Sequence, residues 1–430
     1  METARERAGV PATGDAKGAA LRIALTSNGP GELAGWVRPL VSELLRQAPH
    51  AELTLFFVPD DYATGREADV ARALFPGVRV VPPRDYVRFA LGRGGSGAPE
   101  RADAVLYLGG DLMHALRVHA RLGGKAFAYK FSRRRHRRTF ARVYAVDARN
   151  VTQLEGWGVP PERIETVGNL AIDGALGEAA GRFAAGAGDA DRLPQGGVLI
   201  MPGTRKHEIA NLIPFFLQAV LRLRAAAPGL PVAFGLSPFT ARDELSRALE
   251  RGGHPNVWGA RGSVIDWEGG LALQPAAGGA PVPIVRDALR AAQHAKLVVT
   301  IPGTKCIELA ALGVPALVCV PLNAPEVVVI NGPLQYLDRL PVLGIPLKRA
   351  AVVAVDARFP LTAQPNIDAG EELMPELRGT LTPGYVARRI AAYAADDAAR
   401  ASAAQRLRAL YAAHAGAAER MARSLLAAAS

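Results

Sequence analysis

Cysteine is scarce: Cys306 and Cys319 are the only two in 430 residues. They make neither a metal pair nor a disulfide framework, and a reducing cytosol is the simple reading. Long apolar runs are missing too. None approaches the roughly 20 residues that span a bilayer, and the most apolar region, Leu309 to Ile330, is broken by Pro315, Pro321 and Pro325. Residues 1–20 are polar and rich in glycine and alanine, without an apolar h-region, and read as a disordered tail rather than a signal peptide. There is no Walker motif, nucleophile elbow or His/Cys cluster. Asp189-Ala-Asp191 matches a D-x-D string, but no strand precedes it, so no metal is expected. Aromatics are 6% of the chain and do not interleave with the basic residues as stacking platforms would, which argues against a nucleic-acid partner.

What is present is an ordinary globular composition, 49% hydrophobic and 21% charged, on a length that suits two domains. The net charge of +11 suits nucleic acid, an anionic membrane surface or a phosphorylated substrate, with nucleic acid the least favoured because of the aromatic pattern. The densest basic run, Lys130-Phe-Ser-Arg-Arg-Arg-His-Arg-Arg138, reads either as a solvated helix face or as a membrane-surface patch.

Two ten-residue stretches nearly repeat: Met201-Pro-Gly-Thr-Arg-Lys-His-Glu-Ile-Ala210 and Ile301-Pro-Gly-Thr-Lys-Cys-Ile-Glu-Leu-Ala310. Each follows an apolar run and opens an amphipathic segment, the pattern of a buried strand, a tight turn and a helix N-terminus. Glycine there lets backbone approach a ligand, and the first N–H groups of the helix favour an anion, above all phosphate. A pair of such turns suggests a phosphorylated ligand, such as a nucleotide. The residues singled out are Gly203, Thr204 and Arg205 in the first turn, and Gly303, Thr304, Lys305 and Glu308 in the second. Arg205 would meet a diphosphate. Glu308 would accept from ribose hydroxyls or simply complement the helix dipole.

Around these turns, short apolar runs alternate with helical patterns from Leu21 to Val146 and again from Val198 to Val320. This alternation predicts α/β architecture with parallel sheets. The expected division is 21–176, a glycine-rich linker at 177–194, a second domain at 195–383, and a pair of alanine-rich helices over 384–430. Ligands in such sheets lie beyond the carboxyl ends of the strands. Two further junctions fall there. Ser27-Asn28-Gly29-Pro30-Gly31-Glu32 is a substrate loop or merely a tight turn. Gly109-Gly110-Asp111 ends a strand, and Asp111 could act as a general base or simply cap the next helix, with His114 one turn later.

Several segments together resemble the lipid-A-disaccharide synthase family. Pro365-Asn-Ile-Asp-Ala-Gly-Glu-Glu-Leu-Met-Pro-Glu-Leu377 is similar to its P-N-x-x-A-G-x-x-x-x-x-E-L segment. Val198 to Glu208 is similar to L-L-P-G-S-R-x-x-E, and Gly303 to Glu308 to S-G-T-x-x-L-E. Gly168-Asn-Leu-Ala-Ile-Asp173 is similar to G-H-x-x-x-D, with Asn169 where histidine is expected. The similarity runs in order over roughly residues 21–425. It implies a GT-B type fold: two facing Rossmann-like domains, UDP held mostly by the second, and closing helices that return to the first. The implied reaction is inverting, from a UDP-diacylglucosamine donor to the 6-hydroxyl of a diacylglucosamine 1-phosphate acceptor, in lipid A biosynthesis. Asp111 would be the base, and Arg205, Thr304 and Glu308 donor contacts. Asn28, Gly29, Gly31, Glu32, His114 and Asn169 would face the acceptor or sugar. No cofactor or metal is implied. The protein would sit in the cytoplasm on the inner face of the membrane, and a homodimer stays open. The departures fall on the acceptor side: the loop at Asn28 replaces G-E-x-S-G-D, and Leu112-Met-His114 replaces A-P-D-F after the aspartate. Another GT-B-like UDP-sugar enzyme therefore remains an alternative, with a different glycolipid acceptor or as a UDP-sugar 2-epimerase. A non-catalytic nucleotide-sugar-binding relative is another.

Overall fold

A computed structural model describes residues 20–59, 65–93, 97–130, 138–182, 189, 192–238, 240–323, 354 and 358–429. The predicted N-terminal tail and most of the basic run after Lys130 lie outside them.

The first half of the chain builds a parallel sheet in the order β3-β2-β1-β4-β5-β6-β7. Its strands are β1 (Arg22–Ser27), β2 (Glu52–Phe57), β3 (Arg79–Val81), β4 (Ala104–Tyr107), β5 (Lys125–Tyr129), β6 (Arg142–Ala145) and β7 (Ile164–Thr166). After β1 a single turn at Pro30–Glu32 and a π turn at Leu33–Val37 run into α1 (Arg38–Gln47). The other connections carry α2 (Glu67–Leu74), α3 (Pro83–Ala90), α4 (Leu112–Leu122) and α5 (Ala148–Gly156). Most strand residues are buried, which is what helices on both faces of a parallel sheet require.

After β7, α6 (Leu170–Ala179) carries the chain into the second domain. There the sheet order is β10-β11-β12-β9-β8-β13-β14-β15. Its elements are β8 (Val198–Met201), α7 (Lys206–Ala226), β9 (Val232–Gly235), α8 (Arg242–Arg251), β10 (Gly262–Trp267), β11 (Gly270–Pro275), β12 (Val282–Val285), α9 (Ala288–His294), β13 (Leu297–Thr300), α10 (Thr304–Leu312), β14 (Ala316–Pro321), α11 (Gln364–Ala369) and β15 (Glu376–Gly379). Strands β8 and β13 read VLIM and LVVT, buried throughout. Among the described residues α7 alone is long and apolar enough to cross a membrane. It packs against α8 and against α12 (Pro383–Ala395), with Ile213, Phe216 and Val220 in the core.

Three sequence expectations are corrected. The closing segment is three helices, not two: α12, α13 (Asp397–Tyr411) and α14 (Ala417–Ala429), because Gly416 breaks the last pair with φ +79°. The first two stay on the second domain, while α14 packs on α1 and puts Met421 and Leu425 into the first domain's core. The expected linker is partly structure: α6 runs through Ala179, and Asp189 accepts hydrogen bonds from the Arg286 and Asp287 N–H groups at 2.7 and 2.9 Å. The antiparallel β10–β11–β12 edge was not anticipated.

The two chain crossings are clasped together. The Asp173 carboxylate on α6 accepts the Gly416 and Ala418 N–H groups, each at 2.7 Å, at the start of α14. Arg420 on α14 donates to the Val167 carbonyl at 2.7 Å. A Cβ on Gly174 would sit 3.0 Å from the Ala34 carbonyl oxygen, so α6 lies close against the π turn.

Candidate functional site

Strands β8 and β13 are neighbours, with Met201 opposite Thr300. The two Pro-Gly-Thr turns therefore leave the sheet side by side, and the Thr300 hydroxyl donates to the Met201 carbonyl at 3.1 Å. Beyond that point the repeats diverge. In the first turn Gly203 has φ +105°, and a Cβ there would collide with Glu208. The glycine lets Glu208 Oε2 reach back and accept the N–H groups of Thr204 (2.8 Å) and Arg205 (2.9 Å). The amides expected to greet a ligand are thus held by the helix's own third residue. In the second turn the helix begins at Thr304, two repeat positions earlier. Glu308 consequently lies deeper in α10, buried, and accepts from Lys305 Nζ at 2.5 Å rather than facing a ribose. Among the described residues no side chain caps α10. Its N-terminus, with exposed Gly303 and Thr304, is the more open anion site of the two.

Lys305 belongs to a chain of charges reaching the other domain. Burial pulls its ammonium down, but Glu308 and Glu178 outweigh it, and Lys305 stays above the ordinary lysine value. Glu178, near the end of α6, is in turn paired with Arg38 at the start of α1.

The segment from Pro365 to Leu377 is a packing device. Asn366 is fully buried; its amide donates to the Met374 carbonyl (2.7 Å) and to Glu376 Oε1 (2.9 Å), and its oxygen accepts the N–H groups of Leu373 and Met374 (2.9 and 2.8 Å). Glu376 also accepts from the Thr362 hydroxyl at 2.6 Å and the Ala363 N–H at 2.9 Å. Neither residue could be assigned this work from sequence. Asp368 in the same segment pairs across the cleft with Arg149 on α5 at 3.8 Å.

In the first domain the β1 and β4 loops meet. A Cβ on Gly109 would sit 2.8 Å from the Glu32 side chain, and one on Gly110 (φ +82°) would sit 2.5 Å from Val58 and 3.5 Å from Asn28. Asn28 and Glu32 are therefore gathered against the Gly109-Gly110 turn that precedes Asp111, while a Cβ on Gly31 would meet nothing within 4 Å. Asp111 is exposed and caps α4, its Oδ1 accepting the Met113 N–H at 2.9 Å. Asn169 caps α6, accepting the Ala171 N–H at 3.1 Å at the domain crossing. Lys130, where the basic run begins, has φ +47°, and its ammonium lies 5.9 Å from the centre of the Trp36 ring. Among the described residues no group of His, Cys, Asp and Glu side chains is gathered to hold a metal.

No protein-family model matches the chain, and no curated protein does either. Solved structures do. A putative UDP-N-acetylglucosamine 2-epimerase from Listeria monocytogenes superposes with TM-score 0.55 at 12% identity, over 95% of this chain and 97% of its own. The UDP-GlcNAc 2-epimerase from Neisseria meningitidis, bound to UDP-GlcNAc, gives TM-score 0.55 at 10% identity, over 95% and 100%. The glycosyltransferase of kitacinnamycin gives 0.50 at 15% identity, over 95% and 99%. The fold is GT-B. Both sets of loops described above are the carboxyl-end loops of its two Rossmann-like sheets.

In the first domain His114 is turned toward α3. Nδ1 and the Tyr86 hydroxyl share a hydrogen bond of 2.7 Å, the rings meeting edge-on. Burial holds His114 below the ordinary imidazole value of 6.5, with Asp111 opposing, and burial also raises Tyr86. The sign of the pH dependence follows. Below 6.5 the unfolded chain takes up a proton that folded His114 refuses, so stability falls as pH drops through the window under 6.5. Thermal unfolding of wild type and His114→Asn between about pH 7.5 and about pH 5 should show the wild type losing more on acidification. Parallel curves would rule this account out.

Proposed function

We propose that the protein is a UDP-sugar-dependent inverting glycosyltransferase of the lipid-A-disaccharide synthase kind, acting on a glycolipid acceptor. The observation that carries this reading is the pair of Pro-Gly-Thr turns side by side at the carboxyl end of the second sheet. In this reading the open N-terminus of α10 and the Arg205 guanidinium hold the pyrophosphate. Asp111 accepts the proton of the acceptor hydroxyl, whose oxygen bonds to the anomeric carbon as the carbon–phosphate oxygen bond breaks and UDP leaves. Helix end and guanidinium supply the charge, so the reading needs no metal. The protein would work in the cytoplasm at the membrane's inner face.

The superpositions on the two epimerases, slightly better than on the transferase, support a second reading as a UDP-sugar 2-epimerase. One experiment separates them. The purified protein is given UDP-diacylglucosamine with diacylglucosamine 1-phosphate, and separately UDP-GlcNAc alone. A disaccharide product with UDP release is expected from the first mixture. Epimerised UDP-GlcNAc without transfer selects the second reading, and calorimetry showing no UDP binding sinks both.

A further inference from the structure

Lys130 follows β5 in the left-handed region, at φ +47°, where a lysine is rare. The consequence is a change of face. Along β5 the side chains alternate: Ala126 and Ala128 join one core cluster, Phe127 and Tyr129 another. Continued alternation would send Lys130 to the alanine side. Instead its ammonium lies 5.9 Å from the centre of the Trp36 ring. Trp36 packs against the cluster that holds Tyr129 and meets the Tyr129 ring edge-on. The Lys130 N–H still donates to the Tyr144 carbonyl at 3.0 Å, so the sheet holds the twisted residue in place. The backbone is strained and the ammonium is redirected by that strain.

What this ammonium lacks is a counter-charge. The acids that act on it are Asp147 and Asp368, and both are engaged elsewhere. Asp147 accepts the Asn150 N–H at 2.7 Å, and Asp368 accepts the Tyr411 hydroxyl and the Gln364 amide, each at 2.7 Å. The residue as a whole is exposed, but its charged end is crowded. Burial there outweighs Asp147 and Asp368 and holds the ammonium below the ordinary 10.5. A cation so placed is short of negative charge. Its position in the sheet says which anion supplies it. Strands β1, β4 and β5 are consecutive neighbours. Their carboxyl ends carry in turn the Asn28–Glu32 loop, the Gly109-Gly110-Asp111 turn and Lys130. Tyr107 on β4 is level with Ala128 on β5. The chain at Lys130 therefore leaves the sheet about 4.8 Å, one strand spacing, from the chain that enters the Asp111 turn. We propose that Lys130 binds a phosphate carried by the acceptor sugar, selecting phosphorylated acceptors and presenting a hydroxyl of the same sugar to Asp111. The role of that hydroxyl rests on the transferase reading; the phosphate site rests on the placement of Lys130. Phosphate suits a compact ammonium, which needs anionic oxygens rather than a planar partner.

Equilibrium binding of diacylglucosamine 1-phosphate and of unphosphorylated diacylglucosamine, both in neutral detergent, tests the site without requiring turnover. Wild type should hold the phosphorylated sugar roughly 10- to 100-fold more tightly. Lys130→Asn should abolish that preference, because asparagine tolerates the left-handed backbone but carries no charge. Lys130→Arg should keep most of it, since the charge remains. Both variants should match wild type in UDP affinity and unfolding temperature. In a transfer assay Lys130→Asn should raise KM for the phosphorylated acceptor far more than it lowers kcat. Wild type that holds the two sugars equally, or neither, overturns the proposal. So does Lys130→Asn with the preference intact. Loss of UDP affinity in Lys130→Asn would assign the ammonium to the donor and overturn it too. A preference that depends on Lys130, with no transfer to either sugar, sinks the transferase reading and leaves the phosphate site standing.

Discussion

Asp111→Asn is expected to lower turnover about 10²–10⁴-fold while leaving UDP affinity and thermal stability near wild type. Asp111 has a cap that the structure shows and a proton-accepting role that belongs to the proposed reaction, and this variant separates the two. Its Oδ1 caps α4 by accepting the Met113 N–H, and asparagine caps a helix about as well as aspartate. The cap survives and only the proton acceptor is lost. Asp111→Ala should lose both, adding about 1 kcal/mol of destabilisation. The measurement is initial rate at saturating UDP-sugar, beside a melting curve. Full turnover in Asp111→Asn would reduce the residue to its cap.

Asn366→Ala is expected to cost about 3–5 kcal/mol, the largest stability loss predicted here. Alanine strands the N–H groups of Leu373 and Met374 and removes a donor from Glu376, whose side chain is 1% exposed. Burial alone would raise Glu376; hydrogen bonds from Thr362, Ala363 and Asn366 outweigh it and hold the carboxyl below its ordinary 4.5. That depression stabilises the fold above 4.5, and the contribution is lost as pH falls through the folded value. Urea unfolding at neutral pH reads the cost directly. A loss under about 1 kcal/mol would mean the network is not holding the 362–376 segment in place.

Much of the fold is legible because parallel strands buried on both faces must be largely apolar, and β8 and β13 are so except for Thr300. The repeated Pro-Gly-Thr turns locate the ends of neighbouring strands without any structure. The roles of the repeated glutamates are not legible. Whether Glu208 bonds the turn's amides or Glu308 bonds a lysine depends on where the helix starts, a difference of two residues that local propensity does not resolve. The β10–β11 hairpin had a readable signal in Glu268-Gly269, both with positive φ, between two alternating runs. His114 is readable as lying one turn past Asp111, but its partner Tyr86 lies on another helix, and nothing local pairs them.

Composition and periodicity alone determined two α/β layers, the strand ends that carry glycine-rich turns, and a basic chain suited to an anionic ligand, because these follow from burial and backbone freedom residue by residue. Only the tertiary structure decided which of those groups are already spent: Glu208 on its own turn, Asn366 and Glu376 on each other, Asp173 on the returning helix. A hydrogen bond or a shared face between distant segments is a property of the packed arrangement, and no local pattern encodes it.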